Sequence, residues 1–382
     1  MNFLQDQLAK RKEENAFRSL KVNEGMADFC SNDYLGFARS EELAELTEEE
    51  FRSHASTLPT GQTGPLSMAI NGSTGSRLIS GNSVYAEKLE NDLAAFHYAE
   101  AGLLYNSGYD ANIGLFSCIA KRGDTFICDE FIHASIIDGI ILSRANILRF
   151  EHNNIADLKR LLKKTTGKIF VAVESIYSMD GDAAPLKQFV ELCETHGANL
   201  IVDEAHATGI FGKEGRGLVN ELGLEKEIFA RVHTFGKALG VHGAIVLCSY
   251  ELKEYLINFS RSFIYSTALP LHSLCAIRSA YALLTKSSKT IQKLNDLIGF
   301  FNEKIKIIDE KMIIPSNSAI HCILYPGNGK VKEIANYIQE KGFDVRPILH
   351  PTVTKGKERI RICLHAFNTE AEVNSLVNCL KS

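Results

Sequence analysis

The chain has 382 residues, of which 45% are hydrophobic and 23% charged, and a formal net charge of −4. That length calls for two domains, or one large and one small, with apolar material for a sizeable core. The charge excludes the basic balance of a nucleic-acid binder, no run is long and apolar enough to span a bilayer, and the opening Met-Asn-Phe-Leu-Gln-Asp-Gln lacks the pattern of a secretory signal.

Residues 1–20 read as a charged, amphipathic first helix with apolar Phe3, Leu4, Leu8 and Phe17. Ser31–Gly36 is turn-rich, and an acidic helix follows near 41–52, with Glu48, Glu49 and Glu50 as a solvated face. The glycine-rich stretch 72–81 is not a Walker loop, since no Gly-Lys-Ser/Thr follows; a flexible turn and a loop closely approached by substrate fit it equally. From about 100, short apolar runs alternate with helical stretches. Strands are expected at Gly102–Tyr105, Thr125–Cys128, Ala145–Arg149, Lys168–Val173, Asn199–Val202, Phe229–His233 and Ala244–Cys248. Several are unbroken Val/Ile/Leu/Phe runs, as strands covered on both faces require. The alternation predicts an α/β fold, a large doubly wound seven-stranded mostly parallel sheet with ligands beyond the strand carboxyl ends. After Pro270 come long helices near 271–309, then short strands near 319–324 and 359–364 with a helix between. The expected organisation is an N-terminal arm over 1–40, a large domain over 41–270 and a smaller α+β domain over 271–382, possible contributions from the N-terminal segment included.

The octet 233–240, His-Thr-Phe-Gly-Lys-Ala-Leu-Gly, presents Lys237 in a glycine-flanked turn after one strand. Asp203 and His206, in Val-Asp-Glu-Ala-His, follow another. A lysine to hold an aldehyde as a Schiff base, a carboxylate for a pyridinium nitrogen and a histidine for the ring hydroxyl are what pyridoxal phosphate chemistry needs. The small neighbours of Lys237 suggest a backbone that something approaches closely. Ser107-Gly108-Tyr109 opens a helix beginning near Asn112, and such a helix start suits a phosphate, or is an ordinary turn. Thr234 and Ser178 could add hydroxyl donors near the cofactor. His133 is either a structural hydrogen-bonder or an imidazole stacked on a cofactor ring, and spacing does not choose. Arg359 and Arg361 share one strand face, where an arginine could grip a substrate carboxylate or merely solvate. The nine cysteines include no Cys-x-x-Cys pair and no cluster at zinc spacing, so reduced thiols in a cytoplasmic protein and no metal are expected.

Over nearly its whole length the chain resembles the α-oxoamine synthases, a family of fold-type I pyridoxal phosphate enzymes. The stretches that carry the likeness are Ser31–Gly36, Gly75–Gly81, Asn106–Tyr109, Ile132–Ser135, Ser178–Asp182 and Ser266–Pro270, with the aspartate, lysine and arginine motifs. The resemblance implies a homodimer with active sites at the subunit interface. It makes Lys237 the Schiff-base lysine, His133 the ring-stacking residue, Asp203 the partner of the pyridine nitrogen and His206 that of the ring oxygen. Ser178 would lie beside the ring, and Ser107, Gly108, Tyr109 and Thr234 around the phosphate, with Ser266 and Thr267 from the other subunit. Arg361 matches the arginine that holds the amino-acid carboxylate; Arg18, Asn32 and Ser76 match substrate-contacting positions.

The implied reaction is a decarboxylative condensation of a small amino acid with an acyl-CoA or acyl-carrier thioester. Lys237 would remove the α-proton and His133 bond the acyl carbonyl. Within the family, Ser76-Arg77-Leu78-Ile79-Ser80-Gly81 is most similar to members that join L-alanine to a pimeloyl thioester in biotin biosynthesis, since members using succinyl thioesters tend to carry polar Thr-Arg-Asn there. The same chemistry on glycine plus acetyl-CoA, or serine plus a long-chain acyl-CoA, is the alternative. Transamination and a non-catalytic partner subunit are the rivals, the latter disfavoured by the presence of Lys237. Two departures from the family, Ala86 in place of a histidine and His365-Ala366-Phe367-Asn368 in place of Ala-Ala-His, bear on acyl-chain choice.

Overall fold

Side-chain parity along the strands decides the architecture. In Thr125–Asp129, Phe126 and Cys128 join an apolar cluster with Leu115 and Phe116, whereas Ile127 between them packs with Leu158 and Phe189 in another. Phe170, Ala172 and Ile201 fall in the first cluster, and Val171, Val173, Leu200 and Val202 in the second. Successive strand side chains point opposite ways, so burying both sets needs a sheet covered on both faces. The computed structural model, which describes residues 3–20, 22, 25–55 and 71–381, contains that sheet.

Its seven strands lie in the order Ala101–Tyr105, Ala244–Cys248, Ala230–Thr234, Asn199–Asp203, Ile169–Glu174, Thr125–Asp129 and Asn146–Phe150. Neighbours pair in parallel, except that Ala244–Cys248 runs antiparallel to both of its own. Every expected strand is present, each end within one residue of its expected limit. Helices Gly108–Cys118 and Ala134–Ser143 supply Ala111, Leu115, Ile136 and Ile140 to the first cluster. Ile155–Leu162 and Leu186–His196 cover the other face.

The chain divides into two units. The larger comprises Leu35–Tyr177 and Ala183–Ile291; the smaller takes the chain up to Tyr34, the short segment Ser178–Asp182 and the chain from Gln292 onward. The smaller unit is built on a four-stranded antiparallel sheet in the order Arg346–Ile348, Arg359–Cys363, Ile320–Leu324, Ile313–Ile314. Helix Asn328–Glu340 connects the expected pair of strands, and Glu370–Leu380 follows, its start fixed by a capping box between Thr369 and Glu372. Two flanking strands of two and three residues escaped the sequence reading, because so few residues show no alternation. Ala27–Asp28 pairs in parallel with Phe343–Asp344, which makes the amino-terminal segment part of this unit.

Ser178–Asp182 is held in the smaller unit by a close backbone approach. The hydroxyls of Ser316 and Ser318 donate to the Gly181 carbonyl at 2.8 and 2.7 Å. Gly181 has φ +79°, and a Cβ there would collide with the Ile320 carbonyl. The first helix is shorter than expected: it spans Phe3–Glu13, and Asn15 ends it in the left-handed region, leaving Phe17 outside. It buries none of its residues, so Phe3, Leu4 and Leu8 form no covered apolar face. No helix among the described residues is long and apolar enough to cross a membrane, and none of the nine cysteines forms a disulfide.

His321, on the central strand Ile320–Leu324, is fully buried against Phe301, with ring centroids 4.5 Å apart. Burial pushes its pKa from 6.5 down to about 3. The unfolded chain therefore binds more protons between those values, and stability falls as pH drops through them. At pH 5 this histidine should cost about 2 kcal/mol relative to pH 8. Denaturant melts of His321→Leu against the parent at both pH values check it: the parent's extra acid sensitivity should be absent in the variant.

Candidate active site

Strand parity aims Asp203 the same way as Ile201, toward helix Gly108–Cys118. There Asn112 Nδ2 donates to Asp203 Oδ2 at 2.8 Å, while the Ala205 amide donates to Oδ1 at 2.9 Å. Asn112 donates also to Ser135 Oγ at 3.0 Å, and Ser135 Oγ lies 2.7 Å from His133 Nδ1. The Ser135 amide donates to the same Nδ1 at 3.2 Å, with His133 as N-cap of helix Ala134–Ser143. Because Nδ1 accepts, the ring proton belongs on Nε2. Burial around the ring holds the His133 pKa below the ordinary range; the Lys237 charge lowers it further, and Asp203 opposes. His133 is thus a neutral imidazole whose one N–H is at Nε2.

Lys237 sits in the turn joining Ala230–Thr234 to Ala244–Cys248, and its Nζ lies 2.7 Å from His206 Nε2. Packing sets that distance. Phe235 and Leu239 are fully buried on either side of the lysine. Gly209, three residues after His206 with φ +84°, lets Ala238 approach: a Cβ at 209 would stand 2.7 Å from the Ala238 Cβ. The close backbone approach expected beside the lysine is therefore real at Ala238. At Gly236 it is not, since a Cβ there would meet nothing nearer than 3.8 Å.

The helix expected to begin near Asn112 starts at Gly108 instead. Ser107 caps it, its Oγ accepting from the Asp110 amide at 3.1 Å and donating to the Asp110 carboxylate at 2.8 Å. The amides of Gly108 and Tyr109 head the helix. Gly108 faces Thr234, and a Cβ would come within 3.2 Å of it. Tyr109 is half exposed; its hydroxyl donates to Asp138, and its ring stands edge-on to His133 with centroids 6.4 Å apart.

The other expected residues fall into separate groups. Ser266 and Thr267 line a cavity of the larger unit with Arg77, Ala86, Asn106 and Phe263. Asn106 Nδ2 donates to the Thr267 carbonyl at 2.9 Å. Ser76 is buried beside that cavity's Arg77 and Gly81, and its Oγ has no hydrogen-bond partner.

In the smaller unit, Arg361 Nε donates to the Ser178 carbonyl at 2.8 Å and Nη2 to Asn32 Oδ1 at 3.0 Å. Arg359, two residues away, ion-pairs with Asp180, so both arginines reach the same segment, as their shared strand face predicts. The departing His365–Asn368 tail serves this group: His365 Nε2 lies 3.1 Å from Ser31 Oγ, and Asn368 Nδ2 donates to the Asp28 carbonyl at 3.1 Å. The Arg18 guanidinium donates to Thr352 Oγ1 at 3.3 Å.

Two residues of the site, Asn112 and Ser135, escaped the sequence reading. Ser135 carried a signal, a hydroxyl two residues after His133 at a helix start, which is capping spacing. Asn112 carried none.

The larger-unit groups fit pyridoxal phosphate. Lys237 offers an amine, Asp203 a carboxylate held by two donors, and the Ser107–Gly108 helix start a cradle beside Thr234 that a Cβ at 108 would fill.

Residues 24–380 match the family model described as aminotransferase class I and II. The chain is 42% identical over 401 aligned residues to the 8-amino-7-oxononanoate synthase of Emericella nidulans, covering 99% of this chain and 94% of that protein. A crystal structure of 8-amino-7-oxononanoate synthase from Francisella tularensis matches with a TM-score of 0.77 and 27% identity over 94% of this chain and 98% of that one. A serine palmitoyltransferase from S. paucimobilis shares the fold, with a TM-score of 0.87 and 24% identity over 100% of this chain and 96% of that one.

Proposed function

Since the chain belongs to the class I and II aminotransferase family of fold-type I pyridoxal phosphate enzymes, in its α-oxoamine synthase branch, we propose that it joins L-alanine to a pimeloyl thioester, giving 8-amino-7-oxononanoate. It is a pyridoxal phosphate enzyme, and its reaction class is the decarboxylative condensation of an amino acid with an acyl thioester. The choice of alanine and a pimeloyl chain is supported by the fungal relative and by apolar Leu78 in the Ser76–Gly81 stretch. The 2.7 Å contact between Lys237 and His206 carries the assignment of roles.

When bound, the cofactor supplies an electron sink for the carbanion at the substrate α-carbon. Lys237 would hold the cofactor aldehyde, and its amine would serve as the base for the α-proton of the amino acid. With His206 beside it, the amine donates one N–H to Nε2 and keeps its lone pair for that proton. Asp203, oriented by Asn112, would pair with the ring nitrogen. His133 would stack on the cofactor ring, and its Nε2–H would donate to the acyl carbonyl, where negative charge develops. Ser107, Gly108, Tyr109 and Thr234 would hold the phosphate, with Ser178 assigned beside the ring by family resemblance. Ser266 and Thr267 would complete the phosphate site from a second subunit of a homodimer. Arg361 grips the amino-acid carboxylate with Asn32 beside it, while Ser76 and Arg18 touch substrate. A cytoplasmic setting agrees with cysteines that form no disulfide.

Asn32 and the Ser178 carbonyl fix the plane of Arg361, whose remaining donors would bind the carboxylate. Arg361→Leu should raise the KM for the amino acid by about 30- to 150-fold, with a smaller effect on the thioester KM, measured by steady-state kinetics.

Product analysis by mass spectrometry, with alanine, glycine and serine offered separately against pimeloyl, acetyl and palmitoyl thioesters, tests the reading. The expected product is 8-amino-7-oxononanoate from alanine and the pimeloyl donor. Preference for another pair would transfer the assignment to a sister reaction, and an oxo acid with no condensation product would replace it by transamination.

A further inference from the structure

Adjacent in sequence to Asp203 and Thr234 lies a fully buried polar cluster that the steps above leave unused. Glu204 Oε1 accepts from the amides of Leu218 at 2.8 Å and Val219 at 3.1 Å. Its Oε2 has no well-aligned hydrogen-bond partner, the Ser175 hydroxyl lying near enough only to favour the ionised form, and Gly217 stands so close that a Cβ there would collide with it. His233 Nε2 also lacks a partner and lies 3.7 Å from that oxygen. Thr208, two residues after His206, links the pair: its hydroxyl donates to the Glu204 carbonyl at 2.7 Å and lies 2.8 Å from His233 Nδ1.

Proton counting fixes the rest. A hydroxyl has one proton, and this one is committed to the Glu204 carbonyl. His233 Nδ1 must therefore carry the ring proton and donate it to Thr208 Oγ1. Nε2 then turns a lone pair toward Glu204 Oε2, an unfavourable meeting in a dry interior unless a proton lies between them. At 3.7 Å the two atoms would need a small rotation of the carboxyl to come into hydrogen-bond range. Burial raises Glu204 to about 7 and holds His233 well below the ordinary histidine range, so of the two groups the carboxyl holds a proton more readily. The charged and titratable groups facing the pair are Arg231, which opposes protonation of both, and His97, whose ring centroid lies 4.2 Å from that of His233.

We infer that Glu204, Thr208 and His233 are positioning residues: closed by one proton between Glu204 Oε2 and His233 Nε2, they tie the segments bearing Asp203, His206 and Lys237 into one frame. The inference rests on the reading that Lys237 bonds the cofactor.

The test compares Glu204→Gln, Glu204→Leu and Thr208→Val, each reconstituted with pyridoxal phosphate. The readouts are the visible absorbance of the lysine-bound cofactor, its dissociation constant, the kcat and KM split, and the Tm of the cofactor-free protein. A glutamine at 204 can accept from Leu218 and Val219 and still donate to His233, so it should keep the parent spectrum, affinity and kcat within about twofold. Thr208→Val and Glu204→Leu should bind the cofactor about ten- to a hundredfold more weakly and lose a similar factor in kcat, with the amino-acid KM changed less than about twofold. If Glu204→Leu does not fold, the near-isosteric Thr208→Val decides. A Gln variant as damaged as the Leu variant overturns the shared proton. A Thr208→Val variant that loses only Tm overturns the positioning role. A parent enzyme without the visible band would instead remove the Lys237 premise.

Discussion

Lys237→Ala should abolish product formation, with kcat lowered by at least about 10⁴-fold, since both the covalent link and the proton transfer depend on this amine. The loss should be chemical and not structural. The turn is held by Phe235 and Leu239, both fully buried, and by Ala238 packed against Gly209, none of which involves the lysine side chain. The cofactor-free variant should therefore keep the parent Tm within a few degrees. His206 would lose the contact at its Nε2, leaving space beside the imidazole for a small exogenous amine. Methylamine at high concentration should restore a small fraction of turnover, rising with the fraction of free base. Mass-spectrometric product assays with and without the amine check both parts. Product formation within tenfold of the parent in its absence would remove Lys237 from the chemistry.

The larger unit was legible because its strands alternate between two covered faces, a constraint written residue by residue into runs such as Phe126-Ile127-Cys128 and Phe170-Val171-Ala172-Val173. Asp203 and Lys237 were legible for a related reason, since each follows such a run at the sheet's carboxyl edge. Asn112 was not. Nothing in a helical sequence tells which polar side chain will meet a carboxylate 91 positions away. The membership of Ser178–Asp182 in the smaller unit was hidden for the same reason: it rests on Ser316 and Ser318 reaching the Gly181 carbonyl from more than 130 positions away. The Glu204–Thr208–His233 cluster lay inside the two most informative motifs, but its internal hydrogen bonds depend on how two strands align, which neither motif encodes alone.

Asp203→Asn should lower kcat by about 10²- to 10³-fold, the scale of removing one preorganised electrostatic group from a reacting centre. The substitution changes almost no volume, so its effect reads out charge and hydrogen-bond sense. In the parent, Oδ2 accepts from Asn112 and Oδ1 from the Ala205 amide, so both oxygens meet donors. An asparagine has one oxygen and one NH₂. Whichever way it turns, one donor of the parent structure faces another donor, and the negative charge opposite the ring nitrogen is gone. Asn112→Ala supplies the control: it keeps the carboxylate, removes one donor that orients it, and should cost only about tenfold. Because Asn112 also bonds Ser135, which holds His133, part of that tenfold should reach the acyl step, and Ser135→Ala should reproduce that part without touching Asp203. Steady-state kinetics on the three variants, with cofactor affinity measured separately, tests the ordering. If Asp203→Asn retains more activity than Asn112→Ala, the carboxylate is not the group that supports the reacting ring.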